Sequence, residues 1–303
     1  MTYSIVARDR ATGRFGVAVQ SHWFAVGRIV PWAEAGVGAV ATQSFAEASY
    51  GPLALDLMRR GKSAREAMDA LLLVDDEREA RQVAIVDAAG EVATHTGEDC
   101  LSLAGHRAGD GYSVQANIME RDSVWPAMAQ AYEGAGGDLA DRLFAALRAA
   151  QAEGGDLRGM QSAAILIVEA APTGKEWVDR VLDLRVEDHD APLDELERLI
   201  RRWRAYGHAE LAEEAELAQD ADRALSQRLT ALEIEPDNPE MAFWAAVALA
   251  DAGRTEEART LLQPVRPVGE RWAELLRRCI AEGALELDPG TAEMLTAELE
   301  GRS

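Results

Sequence analysis

Thr2-Tyr3-Ser4-Ile5-Val6-Ala7-Arg8 opens the chain as a β-strand that begins at the second residue. Asp9-Arg10-Ala11-Thr12-Gly13-Arg14 then turns, and Phe15-Gly16-Val17-Ala18-Val19-Gln20 returns as a second strand. Asp supplies a side chain that bonds the turn backbone, and Gly supplies the positive φ the reversal needs. A strand starting this early is expected to carry the amino terminus inside the fold. Met1 precedes a small residue and is expected to be removed. Thr2 then holds a free α-amine beside its own hydroxyl, a nucleophile with a built-in base. An α-amine has a reference pKa of about 8, close to what a general base working near neutrality requires.

Working outward, a third apolar segment runs Gly36-Val37-Gly38-Ala39-Val40-Ala41-Thr42, and the first hairpin has an echo in Val83-Ala84-Ile85-Val86-Asp87-Ala88-Ala89-Gly90-Glu91-Val92-Ala93-Thr94-His95. Between them Tyr50 to Val74 reads as helical, with Ser63 and Glu66 spaced as a capping box. A loop-like stretch to Gly111 leads into a strand from Tyr112 to Met119. Two helices follow, over Val124–Tyr132 and Leu139–Gln151, then a wholly apolar strand from Ala163 to Val168 and a last strand over Trp177–Val186. Strands arrive in hairpins rather than alternating singly with helices, which argues against a doubly wound parallel sheet. Two antiparallel sheets, face to face with helices outside, fit the order best.

From about Leu196 the composition turns to Ala, Glu, Leu and Arg at helical spacing. Ala224, Ala231 and Pro236 fall where a ~34-residue helix–turn–helix repeat places its small residues and closing proline. Ala258 and Val265 hold the first two places one repeat later, with Gly253 at the inter-helix turn and Pro267 arriving early. So short an array is expected to lean on the first domain, a second copy or a protein partner. The expected domains are residues 1–192 and a helical tail over residues 193–303.

Composition narrows the function. Of 303 residues, 48% are hydrophobic and 28% charged, and the net charge is −22. That surface is repelled by nucleic acid and by anionic membranes. The amino end lacks a basic stretch followed by an apolar one, and no apolar run approaches ~18 residues, so a cytoplasmic, soluble protein is expected. Cys100 and Cys279 form no Cys-x-x-Cys motif, which argues against structural zinc or a disulfide framework. Gly36-x-Gly38 lacks the third glycine of a dinucleotide fingerprint. Ser21-His22 has no positioned acid to complete a triad. Asp188-His189-Asp190 reads as a solvated cluster, because neighbours on a strand point to opposite faces.

The run Thr2 to Asp9, with Phe24-Ala25-Val26-Gly27 and Gly36 to Gln43, resembles the family catalogued as domain of unknown function 1028. His95-Thr96-Gly97, Gly109-Asp110-Gly111, Val114-Gln115-Ala116-Asn117, Gln161-Ser162-Ala163-Ala164 and Asp183-Leu184-Arg185-Val186 follow in order, so the resemblance covers roughly residues 1–190. The tail is similar to tetratricopeptide repeats. The first resemblance implies kinship with the amino-terminal-nucleophile (Ntn) hydrolases and hence an α+β, four-layer αββα sandwich. It implies Thr2 as nucleophile on an amide carbonyl of a small or peptide-like substrate. No metal or organic cofactor is implied.

Ser21, across the hairpin, and Asn117, as an oxyanion donor at a strand end, are the next candidate catalytic residues. Asp156 and Ser162 are similar in layout to the Asp-x-x-Ser element of proteasome β-subunits, at longer spacing. Ser4, His22, Gln43, His95, Arg158 and Gln161 are the candidate substrate-binding residues. The bland alternatives are an ordinary strand threonine at Thr2 and satisfied loop or strand histidines at His22 and His95. The sequence departs from the proteasome pattern in having no lysine before Lys62 and no Asp at the end of the second strand. Arg28 or Arg158 would have to substitute electrostatically. A homodimer or higher oligomer is expected. The competing expectation is a catalytically silent sandwich that binds a ligand or assembles through its tail.

Overall fold

The structure, a computed structural model, describes residues 2–302. The removal expected of Met1 therefore concerns a residue outside the described ones. The chain is mixed α and β, with antiparallel sheets followed by a helical carboxy-terminal region, and it divides into two compact units between Arg198 and Leu199.

In the first unit the opening hairpin forms β1 (Thr2–Arg8) and β2 (Phe15–Ser21), followed by β3 (Pro31–Glu34) and β4 (Gly38–Ser44). Helices α1 (Tyr50–Arg59) and α2 (Ala64–Val74) come next, and α2 starts at the expected capping box, Ser63 with Glu66. Then come β5 (Arg81–Asp87), β6 (Val92–Thr96), β7 (Gly105–Gly109) and β8 (Tyr112–Asn117). Helices α3 (Val124–Gly134) and α4 (Leu139–Ala152) precede β9 (Ser162–Val168), the single turn α5 (Glu176–Asp179) and β10 (Arg180–Val186). One sheet has the order β10-β9-β2-β1-β8-β7 and the other β3-β4-β5-β6, and every pairing is antiparallel.

The sheets face each other across Val6, Val17, Val19, Ala39, Ala41 and Ala84, all buried. On the outer side of the second sheet, Val40, Val83 and Ile85 pack against Ala54, Met58, Met68 and Leu71 of α1 and α2. Helices α3 and α4 cover the outer side of the first sheet. The approach there is close enough to require a glycine: a Cβ on Gly16 would lie 2.5 Å from Leu143 Cδ1. Each Leu, Ile or Val wholly removed from water contributes on the order of 1.5–3 kcal/mol, so these layers are the main source of the unit's stability.

Three elements differ from the sequence reading. The edge strands β3 and β7 were not expected, because each is short and β7 (Gly-His-Arg-Ala-Gly) carries no apolar alternation. Both are held by pairing on one side to a longer neighbour. The last strand begins at Arg180 rather than Trp177, which sits exposed in α5.

The second unit takes over within α6 (Pro192–Leu217) and contains α7 (Ala221–Ile234), α8 (Pro239–Asp251), α9 (Thr255–Leu262), α10 (Gly269–Ala281) and α11 (Pro289–Leu299). Ala224, Ala231, Ala258 and Val265 are buried, as the repeat reading expected. Gly253 makes the α8–α9 turn at φ +74°. Pro267 falls in a 3-10 turn that breaks the repeat. Among the described residues no helix is long and apolar enough to cross a membrane.

Candidate active site

The register of the first sheet decides where the chemistry-bearing residues lie. Thr2 is directly opposite Asn117 on β8 and Ser21 on β2, and Ser21 is opposite Ser162 on β9. Asn117, Thr2, Ser21 and Ser162 thus form one row across adjacent strands, on the face turned toward the second sheet. Strand periodicity puts Ser4 and Val6 on that face with Thr2 and sends Tyr3 and Ile5 to the helices. Thr2 is 6% exposed, and its Oγ1 lies 3.0 Å from Ser21 Oγ. Four of the five expected catalytic residues are therefore brought together.

Ser162 is used in fastening. Its hydroxyl donates to Trp23 O at 2.5 Å and accepts from Val26 N–H at 3.1 Å, which pins the loop leaving β2. That loop presents Trp23 and Phe24, both more than half exposed.

Asp156 lies in the loop before β9, with its side chain wholly buried. It accepts from His22 N–H (3.0 Å), from Arg158 N–H (2.9 Å) and from the Arg158 guanidinium (Nη2 at 3.2 Å). It ties the end of β2 to its own loop, one residue beyond Ser21. His22 Nδ1 is buried with no hydrogen-bond partner. Tyr3, on the helix side, donates to Gln151 Oε1 at 3.0 Å. Burial, reinforced by the charge on Asp156, holds its phenol well above the ordinary tyrosine value.

Behind the row a polar network joins the sheets. Ser4 Oγ donates to Gln43 Oε1 (2.7 Å), and Gln43 Nε2 donates to Thr2 O (3.1 Å) and Gln82 Oε1 (2.7 Å). Gln115 Nε2 donates to Ser4 Oγ (3.3 Å) and Ala41 O (3.1 Å). Asn117 Nδ2 donates to Gln82 Oε1 at 2.9 Å. Ser4 and Gln43 thus stand among fully buried groups that hold the backbone of Thr2 in place. Gln82 and Gln115 were missed in the sequence. Their signal was a glutamine at an inward position, in β5 ahead of Ala84 and Val86 and in β8 between Ser113 and Asn117.

Two candidates stand apart. His95 is opposite Val83 and so faces α1 and α2, where its Nε2 lies 2.8 Å from Arg78 O. Gln161 borders the row through its backbone N–H to Ser21 O (3.2 Å), while its side chain donates to Asp188 Oδ1 (3.0 Å). Among the described residues no group of three or more His, Cys, Asp or Glu side chains could hold a metal ion. A cavity of about 980 Å³ lies at the opposite end of the strands, lined by Glu34, Arg59, Lys62, Glu91, Glu176 and Arg180, among others.

The fold and the row define a protein of two facing antiparallel sheets with its second residue buried in a line of hydroxyls and a carboxamide, continued by a helical unit. The chain belongs to the family described as "Family of unknown function (DUF1028)", whose profile matches residues 2–196. A tetratricopeptide-repeat profile matches residues 214–279. The crystal structure of protein SPO2555 from Silicibacter pomeroyi, of the same DUF1028 family, is similar at 30% identity and a TM-score of 0.60, over 66% of this chain and 85% of that one. No curated protein matches.

Proposed function

We propose that the first unit is an amidohydrolase of the amino-terminal-nucleophile type, with Thr2 as nucleophile and a small or peptide-like amide as substrate. The observation that carries this reading is the row itself: Thr2 Oγ1 is 3.0 Å from Ser21 Oγ, between Asn117 and Ser21. Two facing antiparallel sheets with helices outside each also agree with the αββα sandwich of that superfamily.

Once Met1 is removed, Thr2 Oγ1 attacks the amide carbon and its proton passes to the α-amine. The negative oxygen of the tetrahedral intermediate is held by main-chain N–H groups or by the second N–H of Asn117 Nδ2, whose first goes to Gln82. The amine returns the proton to the leaving nitrogen as the C–N bond breaks, leaving an ester on Thr2. Water, deprotonated by the same amine, releases the acid. Trp23 and Phe24, on the loop pinned by Ser162, supply apolar surface for the acyl portion.

The test is the intact mass of the protein, read for Met1, followed by an amide panel on wild type and Thr2→Ala. Absence of Met1 with hydrolysis lost in Thr2→Ala supports the reading. A retained or acetylated Met1 overturns it.

A second reading is favoured by a separate observation. The cavity of about 980 Å³ lies away from Thr2, which suits a catalytically silent protein that binds a ligand at that far end. A Thr2→Ala protein with unchanged ligand affinity and no activity to lose would favour it. For the helical unit the proposed role is assembly, either of a homo-oligomer or with a protein partner. Truncation after Arg198 that leaves the oligomeric state and any captured partner unchanged would refute it.

A further inference from the structure

The direction of every amide behind the row can be worked out from acceptors that cannot be reversed. Gln82 has one end of its carboxamide against Gly105 O (3.2 Å), Ala116 O (3.0 Å) and Thr96 Oγ1 (3.0 Å). Main-chain carbonyls only accept, so that end is the NH2 and the other is the oxygen. Gln43 is fixed likewise, by Thr2 O. Gln82 Oε1 must therefore accept from Asn117, whose NH2 gives it one of its two N–H groups at 2.9 Å. Turning Asn117 over would set two oxygens against each other. What remains is Asn117 Oδ1, on a residue with 0% exposure and without a hydrogen-bond partner.

The backbone says which group of Thr2 lies on that side. Arg8 N–H donates to Gly111 O on the β8 side at 2.8 Å. In an antiparallel ladder every second residue repeats the pattern, so Val6, Ser4 and Thr2 also turn their nitrogens toward β8. Thr2 is opposite Asn117 there, while its hydroxyl meets Ser21 on the β2 side. The two reacting groups of Thr2 are thus flanked separately.

We infer that Asn117 is a positioning residue whose Oδ1 accepts a hydrogen bond from the α-amine of Thr2, with Gln82 fixing which way the carboxamide faces. The inference rests on the nucleophile reading of Thr2 and adds to the expected part of Asn117: one N–H of its NH2 goes to Gln82, which leaves the second as a donor. A carboxylate here would hold the amine protonated and unable to take the hydroxyl proton, whereas a neutral oxygen aims the amine and leaves its lone pair available. Around this amine β2 brings Ser21 and then His22. The loop before β9 brings Asp156 and Arg158, and β4 and β5 bring the neutral Gln43 and Gln82.

The experiment uses the full chain released with Thr2 as its first residue by cleavage of a removable leader. The protein is labelled with [13C]threonine, and the Thr2 Cα resonance is followed against pH in wild type, Asn117→Asp, Asn117→Leu and Gln82→Met. Asn117→Asp is expected to raise the titration midpoint of the amine by about one pH unit, and Asn117→Leu to lower it. Gln82→Met lowers it by less, and it decides the matter if the Asn117 variants do not fold. Midpoints agreeing within about 0.2 unit in all folded variants overturn the inference. Because the readout is titration, the two readings fail separately. An amine that shifts as expected in a protein that cleaves no amide sinks the hydrolase alone, and a hydrolase with unmoved midpoints sinks the role of Asn117 alone.

Discussion

Between the sheets of the first unit the buried polar side chains are hydroxyls and carboxamides, Thr2, Ser4, Gln43, Gln82, Gln115 and Asn117 among them. In the helical unit the buried polar side chains are Asn238, which caps α8, and three charged groups, Arg228, Glu235 and Glu298. Glu235 is gripped by Arg201 (2.6 Å) and Arg202 (3.1 Å), Glu298 by Arg266, and Arg228 by Glu216 (3.1 Å) while lying over Trp244. An ion pair fastens two elements with little regard for direction, and it titrates. An amide has a donor end and an acceptor end, so a chain of amides fixes the orientation of each member and is indifferent to pH. The first unit has the buried polarity suited to aiming groups, and the second the polarity suited to holding helices.

The comparison breaks most decisively at Thr2. Thr2→Ala is expected to lower amide hydrolysis by about 10³-fold or more while leaving the folded unit nearly as stable, since one hydroxyl contact is lost. Turnover and a denaturation curve on the same preparation check this; a large loss of stability would make Thr2 a structural strand residue. Next in size, Gln82→Leu strands Asn117 Nδ2 and two main-chain carbonyls between the sheets, at a cost of about 3 kcal/mol. A urea midpoint unchanged from wild type would show that the network does not bear on stability.

The smallest effect is expected in the helical unit. Glu235→Gln should cost about 1 kcal/mol, because its arginine partners are half exposed and screened. Burial alone would push the Glu235 carboxyl up, but Arg201 and Arg202 outweigh it and hold it below the ordinary value. A depressed acid contributes stability that is present above its unfolded pKa of about 4.3 and lost as pH falls through the folded value. Hydrogen exchange resolved along the full chain should show α7 loosening below about pH 4.3 in wild type and less pH dependence in Glu235→Gln. The amide network should show no slope of its own. Equal acid sensitivity with and without Glu235 would remove the contrast.

Much of the arrangement was legible because period and turn chemistry are local. The Asp-to-Gly turn after β1 fixes the hairpin that sets Ser21 opposite Thr2, and the capping box at Ser63 marks the start of α2. Face was also legible, and it sets the candidate His95 apart from the row. His95 shares parity with Ala93, which is buried under the helices, whereas Thr96 shares parity with the inward Gln82 partner. What was not legible is set by tertiary pairing. β3 and β7 are too short to announce themselves. The role of Gln82 exists only because Gly105, Ala116 and Asn117, distant along the chain, meet it in space.

The position of β1 bears on how such a protein is handled at the bench. β1 lies between β2 and β8, inside its sheet rather than along an edge, and its first residue is buried. An affinity handle fused ahead of Thr2 and left in place would, on the proposed chemistry, convert the reactive amine into a peptide bond. An activity screen of such fusions would score a working hydrolase as inert, so a handle belongs at the other end of the chain.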